Sequence, residues 1–208
     1  MNDMIGSHNS FSYLKPSKWW MRLLTPWHRC QSKNVNAQIL FEGVRYLDIR
    51  VRFIKKNPVF VHNNIVYESC FPFLQQLEMI GRQYAADAKP YCREFKKIPY
   101  RLVLDVRKCP KDFATQRTLF DVLVCKLQQP PYSIYFELDE ARIFWDWDSP
   151  IVKSKYDIKE IHTSVCSPWY KYILGTKWFA RKNNKDTYVL GRNDNNTVYL
   201  IDYVNIIK

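Results

Sequence analysis

Apolar residues along this chain fall into short blocks whose spacing changes from two to three or four. "VRYLDIRVRF" (44–53) carries β-branched residues and alternates from Leu47 to Phe53, the pattern of a strand with two different faces. A first strand is expected near residues 3 to 6, and "KNVNAQILFEG" predicts a helix over about 33 to 42 that stops at Gly43. "NPVFVHN" reads as the next strand and "FPFLQQLEMIGRQYAADA" as an amphipathic helix. "PYRLVLDV" has the apolar run of a strand covered on both faces, and "KDFATQRTLFDVLVCKLQ" reads as a helix opened near Asp112. "YSIYFELDE" and "RIFWDWD" are expected as two further strands, with "NTVYLIDYVNI" closing the chain as another. From 151 to 190 the pattern fits helix, loop or hairpin equally.

Strands alternating with helices predict an α/β fold with mainly parallel strands. At 208 residues, with no linker or repeat, the chain is expected to form one domain over 1–208. Its 47% hydrophobic and 16% aromatic content can fill a sizeable core, and 5 Gly against 11 Pro argues against a flexible chain. No apolar run reaches the length of a membrane span, and residues 1–10 lack the pattern of a signal peptide. A cytoplasmic protein is therefore the expectation, or a secreted one if the sequence is a trimmed mature form.

A formal charge of +12 favours anionic partners such as phosphate groups or acidic lipid surfaces. The cations are dispersed, and no recognition motif accompanies them, so nucleic acid is not an expected partner. Six cysteines show neither a C-x-x-C pair nor zinc-ligand spacing, which fits reduced thiols. Cys109 follows a predicted strand, but nothing near it in sequence resembles an activating His.

In parallel α/β barrels, functional residues gather at the carboxyl ends of strands. His8, Arg50, His62, Arg107 and Asp202 all fall at or near such ends in this reading. Two histidines can act as general base and general acid on a phosphate ester, and a guanidinium between them can grip its oxygens. "KWWMRLLTPWH" adds Trp19, Trp20 and Trp27 beside basic residues. These either dock on a lipid interface or plug one end of the barrel.

Three stretches, "GSHNS", "GVRYLDIRV" and "VFVHN", resemble the bacterial, X-domain-like form of the phosphatidylinositol-specific phospholipase C family. They are similar to its first catalytic histidine turn, its second strand and its second catalytic histidine. The likeness covers about residues 4 to 65 and extends less specifically to 98–108. It implies a distorted, incompletely closed TIM-type (β/α) barrel and metal-independent cleavage of a phosphodiester through a cyclic phosphate. It further implies His8 as base, His62 as acid and Arg50 as the phosphate-binding cation.

Asp202 is the candidate carboxylate behind His8. Asn9, Asp48, Arg107, Lys108 and Arg142 are candidate substrate-binding residues, with Asp146 and Tyr170 as further headgroup candidates. Asn9 stands where many metal-independent members have Asp and where calcium-dependent members have a ligand. Because Arg50 lies beside it, the expectation is no metal and no cofactor, with Asn9 only orienting the turn. The expected substrate is a phospholipid or its headgroup diester. The alternatives are a glycerophosphodiesterase-like hydrolase and a basic, non-catalytic phosphate- or lipid-binding barrel.

Overall fold

The computed structural model describes residues 4–23, 30–31, 33–62, 65–88, 96–106, 111–144, 150–161 and 197–201. Its centre is strand β2 (Tyr46–Ile54), nine residues whose alternation sorts them onto two faces. Leu47, Ile49, Val51 and Phe53 lie in the main apolar core. They share it with Val35 and Ile39 of α2 (Val35–Phe41), Leu77 and Ile80 of α3 (Phe73–Ala88), and Phe120, Leu123, Val124 and Leu127 of α4 (Phe113–Leu127). Tyr46, Asp48, Arg50 and Arg52 alternate with them. Helix α2 begins where the Asn34 side chain accepts from the Ala37 N–H at 2.8 Å, and ends just before Gly43, whose φ of +74° suits glycine.

Strand β1 (Met4–Ser7) runs parallel to β2 and to β8 (Thr197–Ile201). Strand β5 (Ile98–Leu104) runs parallel to β2 on its other edge and to β6 (Phe136–Ile143), and β7 (Asp157–Ile161) parallel to β8. The parallel order is therefore β6-β5-β2-β1-β8-β7. The sheet is curled into a half-barrel, and its ends approach each other. The Tyr46 hydroxyl donates to Asp139 Oδ2 of β6 at 2.8 Å, while its ring meets Tyr156, just before β7, at 6.0 Å. Ala141 bridges to Val152 on the segment leading into β7. No ladder joins β6 to β7 among the described residues.

Two expectations are corrected. "NPVFVHN" forms β3 (Asn57–His62), which runs antiparallel to β2 and continues antiparallel into β4 (Ile65–Val66). Only Lys55 and Lys56 connect β2 to β3, both at positive φ (48° and 67°), the mirror-image turn that matches strand twist. Two residues cannot make a parallel crossover. Likewise "YSIYFELDE" and "RIFWDWD" do not form two strands. Tyr132–Tyr135 makes a short helix, α5, and the chain then runs unbroken through β6, because Glu140-Ala141-Arg142 contains no turn residue.

Inside the curl, Met4, Tyr46, Tyr156, Ile158, Val198 and Leu200 pack together near the amino ends of the strands. Gly6 permits this, since a Cβ there would lie 2.5 Å from Leu200 Cδ2. Toward the carboxyl ends the inner positions turn polar: Asp48, Arg50, Arg101, Glu140 and Arg142. One short helix, α1 (Trp19–Leu23), has none of its residues buried and touches the core only through Met21.

Packing against α5 fixes another glycine. A Cβ on Gly81 would sit 2.6 Å from the Tyr135 ring and 2.7 Å from its Cβ, the rigid root of that side chain. Alanine gains about 1 kcal/mol of helix propensity over glycine, but overpacking typically costs about 1–3 kcal/mol. Gly81→Ala is therefore expected to lower the urea midpoint. A raised midpoint would show that α3 and α5 are not packed this closely.

Candidate active site

The segment 7–12, Ser-His-Asn-Ser-Phe-Ser, is buried throughout although five of its six residues are polar. It is held because its groups find partners on four sides. His8 N–H donates to the Ile201 carbonyl at 3.1 Å, anchoring the turn to the end of β8. Ser10 N–H donates to the Asp48 carbonyl at 2.8 Å, and Asp48 N–H to Ser10 Oγ at 3.0 Å, joining the turn to β2. The Ser7 hydroxyl donates to Gln38 Oε1 of α2, and Gln38 Nε2 donates to the Ser10 carbonyl. Ser12 Oγ accepts from the N–H groups of Cys30 and Gln31, and Gln31 Nε2 caps the His8 and Ile201 carbonyls at 3.1 and 2.8 Å. Asn9 takes the left-handed conformation (φ 46°), which Asn tolerates better than most residues.

Below the turn lies a charge network. Asp48 is fully buried; its Oδ1 accepts from Arg101 Nε at 2.8 Å, and its Oδ2 from Arg50 Nε at 3.1 Å and Asn9 N–H at 2.9 Å. Burial alone pushes this carboxyl's pKa up, but Arg101, Arg50 and His8 pull it down more strongly and hold it well below the usual carboxylate range. Arg50 NH2 reaches His8 Nε2 at 2.7 Å. A guanidinium only donates, so Nε2 is the accepting nitrogen and neutral His8 carries its proton on Nδ1. One strand further, Arg142 pairs with Glu140 at 2.8 Å. Burial raises the Glu140 pKa against the pull of Arg142 and Arg101, and its Oε2 has no hydrogen-bond partner among the described residues.

The hairpin delivers His62. β1 and β3 share one edge of β2, β1 beside Tyr46–Leu47 and β3 beside Val51–Ile54, and the His8 turn fills the interval between them. Phe60 stacks on Phe11 of that turn at 3.9 Å. Two residues on, the His62 ring stands perpendicular to the His8 ring at 6.1 Å between centroids. Cys30 Sγ lies 3.8 Å from His62 Nδ1.

His8, Asn9, Asp48, Arg50 and His62 are thus gathered at one place, with Arg142 on the neighbouring inner surface of β6. Asp48, expected among the substrate-binding residues, has both oxygens occupied by protein donors and is placed to brace two arginines. The side-chain Nδ2 of Asn9 makes no hydrogen bond among the described residues, so its tie to Asp48 runs through its backbone. Arg107, Lys108, Cys109, Asp146, Tyr170, Asp202 and Trp27 lie outside the described residues. Among those described, no group of three or more His, Cys, Asp or Glu is arranged to hold a metal ion.

Arg101, Glu140, Cys30, Gln31 and Gln38 escaped the sequence reading. For Arg101 a signal existed: an Arg within an otherwise apolar strand needs a buried anion, and Asp48 sat within another such strand. Cys30, Gln31 and Gln38 carry no comparable signal, since their partners are backbone groups, residues of the turn or, for the Cys30 thiol, the His62 ring, all distant in sequence.

Removing Arg101 tests the network. Arg101→Met leaves the buried carboxylate with one guanidinium, and breaking such a pair typically costs about 3–5 kcal/mol. Asp48 has a depressed folded-state pKa, so its contribution is present above the unfolded-state value and is lost as pH falls through the folded one. In Arg101→Met that pKa rises, and acid unfolding followed by circular dichroism should begin at a higher pH than in the parent. An unchanged acid limb would show that Arg101 does not hold Asp48 ionised. A scan against protein-family models and searches of curated proteins and of solved structures find no match to this chain.

Proposed function

We propose that this protein is a phosphodiesterase of the phosphatidylinositol-specific phospholipase C type, cleaving an inositol phospholipid or related headgroup diester without a metal. The observation that carries this reading is the cluster of two imidazoles 6.1 Å apart with a guanidinium 2.7 Å from one of them, at the carboxyl side of parallel strands. The reading also takes the curled sheet as part of an incompletely closed TIM-type barrel.

In this mechanism an arriving phosphodiester competes for the Arg50 N–H now given to His8. Once Arg50 turns to the phosphoryl oxygens, His8 Nε2 is free to take the proton of the attacking hydroxyl. His62 protonates the departing oxygen, giving a cyclic phosphate that water opens with the roles reversed. Asp48 does not touch the substrate; it neutralises and aims Arg50. Both oxygens of Asp48 are engaged by Arg101, Arg50 and the Asn9 N–H, so its charge is committed to protein donors.

His8→Ala and His62→Ala are each expected to lower turnover by about 100- to 10,000-fold without unfolding the protein. Arg50→Ala should abolish activity, and EDTA should leave it unchanged. Phosphorus NMR should show a cyclic phosphate before any acyclic ester. Near-normal turnover in either histidine variant, or loss of activity in EDTA, overturns the mechanism; a folded protein that binds headgroup diesters without cleaving them supports the non-catalytic alternative.

The same reading gives α1 a lipid surface as partner. Trp19 and Trp20 are 72% and 44% exposed, with Lys18 5.9 Å over the Trp20 ring. No helix among the described residues is long and apolar enough to cross a membrane, and an exposed Trp pair beside cations suits a surface contact instead. Trp19→Ala/Trp20→Ala should weaken sedimentation with anionic liposomes several-fold; equal binding removes this role.

A further inference from the structure

Just past the end of β6 stands an aromatic ring that the proposed mechanism does not use. Phe144 is half-buried, and the Arg50 guanidinium carbon lies over its ring, 5.7 Å from the centroid. At this range a guanidinium is attracted by the negative face of the ring. Strand register sets up the contact. Arg50 is level with Val103 of β5, and Val103 with Arg142 of β6. Phe144 N–H donates to the Leu104 carbonyl at 3.1 Å, which carries the β5–β6 pairing one step further. Alternation puts Phe144 on the same side of the chain as Glu140 and Arg142. Arg50 and Phe144 thus start two strands apart, about 10 Å at ordinary strand spacing. Their side chains close that gap across Val103, which carries a short side chain.

The contacts constrain Arg50 in different ways. Its Nε donates to Asp48 Oδ2 at 3.1 Å, and its NH2 reaches His8 Nε2 at 2.7 Å. Guanidinium N–H groups point within its plane, so these bonds are directional. The ring instead meets the flat face of the cation, where the attraction is electrostatic and favours no direction within the plane. A guanidinium that gives up His8 and turns toward an anion keeps this contact while it turns. The ring's hold also counts for more in the turned state, because the bond to His8 is then gone.

We propose that Phe144 is a positioning residue for Arg50, its ring carrying the guanidinium face-on while Arg50 turns from His8 to the oxygens of a bound phosphate. Asp48 is the pivot of that turn and Phe144 the surface on which it runs. The ring also keeps water from one face of the cation, and a lower local dielectric strengthens its pull on an anion. The proposal deepens the phosphodiesterase reading and rests on it for the identity of the anion.

Fluorination of the ring tests this with little change of shape, because each fluorine withdraws electron density from the face that meets the cation. Full-length protein with mono-, di- or trifluorophenylalanine at position 144 is titrated with inorganic phosphate, followed by the Arg50 Nε–H signal in NMR. The dissociation constant should rise with each fluorine, reaching about 2- to 30-fold for the trifluorinated ring, the range of a cation–π contact. The same grading is expected in kcat/KM for an inositol phospholipid. Phe144→Leu should weaken phosphate binding as the trifluorinated ring does, and should shift the Arg50 signal without phosphate, since the ring current is lost. If that variant fails to fold, the fluorinated series decides alone. Should neither quantity change with fluorination, the proposal falls even where Phe144→Leu is impaired, because packing alone explains that loss; continued cleavage then leaves the proposed function intact. Fluorine-graded phosphate binding in a protein that cleaves no phosphodiester sinks the proposed function and leaves the role of Phe144 standing. A parent that neither binds phosphate nor cleaves the diester overturns both.

Discussion

A carboxylate buried between two guanidinium groups fixes the level at which three strands and a turn meet. Asp48 projects from β2, Arg101 arrives from β5, and the Asn9 N–H arrives from the turn after β1. None of these donors is adjacent to Asp48 in sequence, so the ion cluster forms only when the strands are in register. A slip of one residue in β2 would carry Asp48 and Arg50 to the helix-covered side, strand both charges in apolar surroundings and leave Arg101 without its carboxylate. The cluster thus acts as a register pin. Apolar residues of similar size would hold the strands about as firmly, but they could not present a guanidinium to an anion.

Around that pin the interior divides by polarity. Tyr46, Val198 and Leu200 fill the amino end of the curl, while the polar chemistry collects at the carboxyl end. The division follows from the order of residues in single strands. β2 reads Tyr46, Asp48, Arg50 along its inner face, from apolar to charged in the direction of the chain. Parallel pairing then sets Arg101 of β5 level with Asp48.

Much of this was legible in the sequence. The period of β2, the extents of α3 and α4 and the stop at Gly43 follow from local patterning, because each is set by residues within a turn or two of one another. His8, Arg50 and His62 were visible because their residue types sit badly in plain strands. The antiparallel course of β3 was missed for a physical reason: Lys55 and Lys56 adopt a turn that usually announces itself with Asn or Gly. β7 was missed because five residues, Asp157–Ile161, are too few for a period to stand out. The Cys30 and Gln31 contacts were beyond reach, since they depend on where a connecting segment comes to rest.

The anchoring of the histidine turn has a consequence for the order of events as the chain folds. His8 N–H and the Gln31 amide both bond the carbonyl of Ile201, nearly the whole length of the chain away. Closing so long a loop comes late and slowly compared with forming α3 or α4. Until β8 docks on β1, the turn has lost one of its four walls, and His8 has no fixed direction. A chain still being synthesised would therefore carry both histidines and the arginine without holding them in place. The cluster would be completed in one step, when the last described strand takes its place.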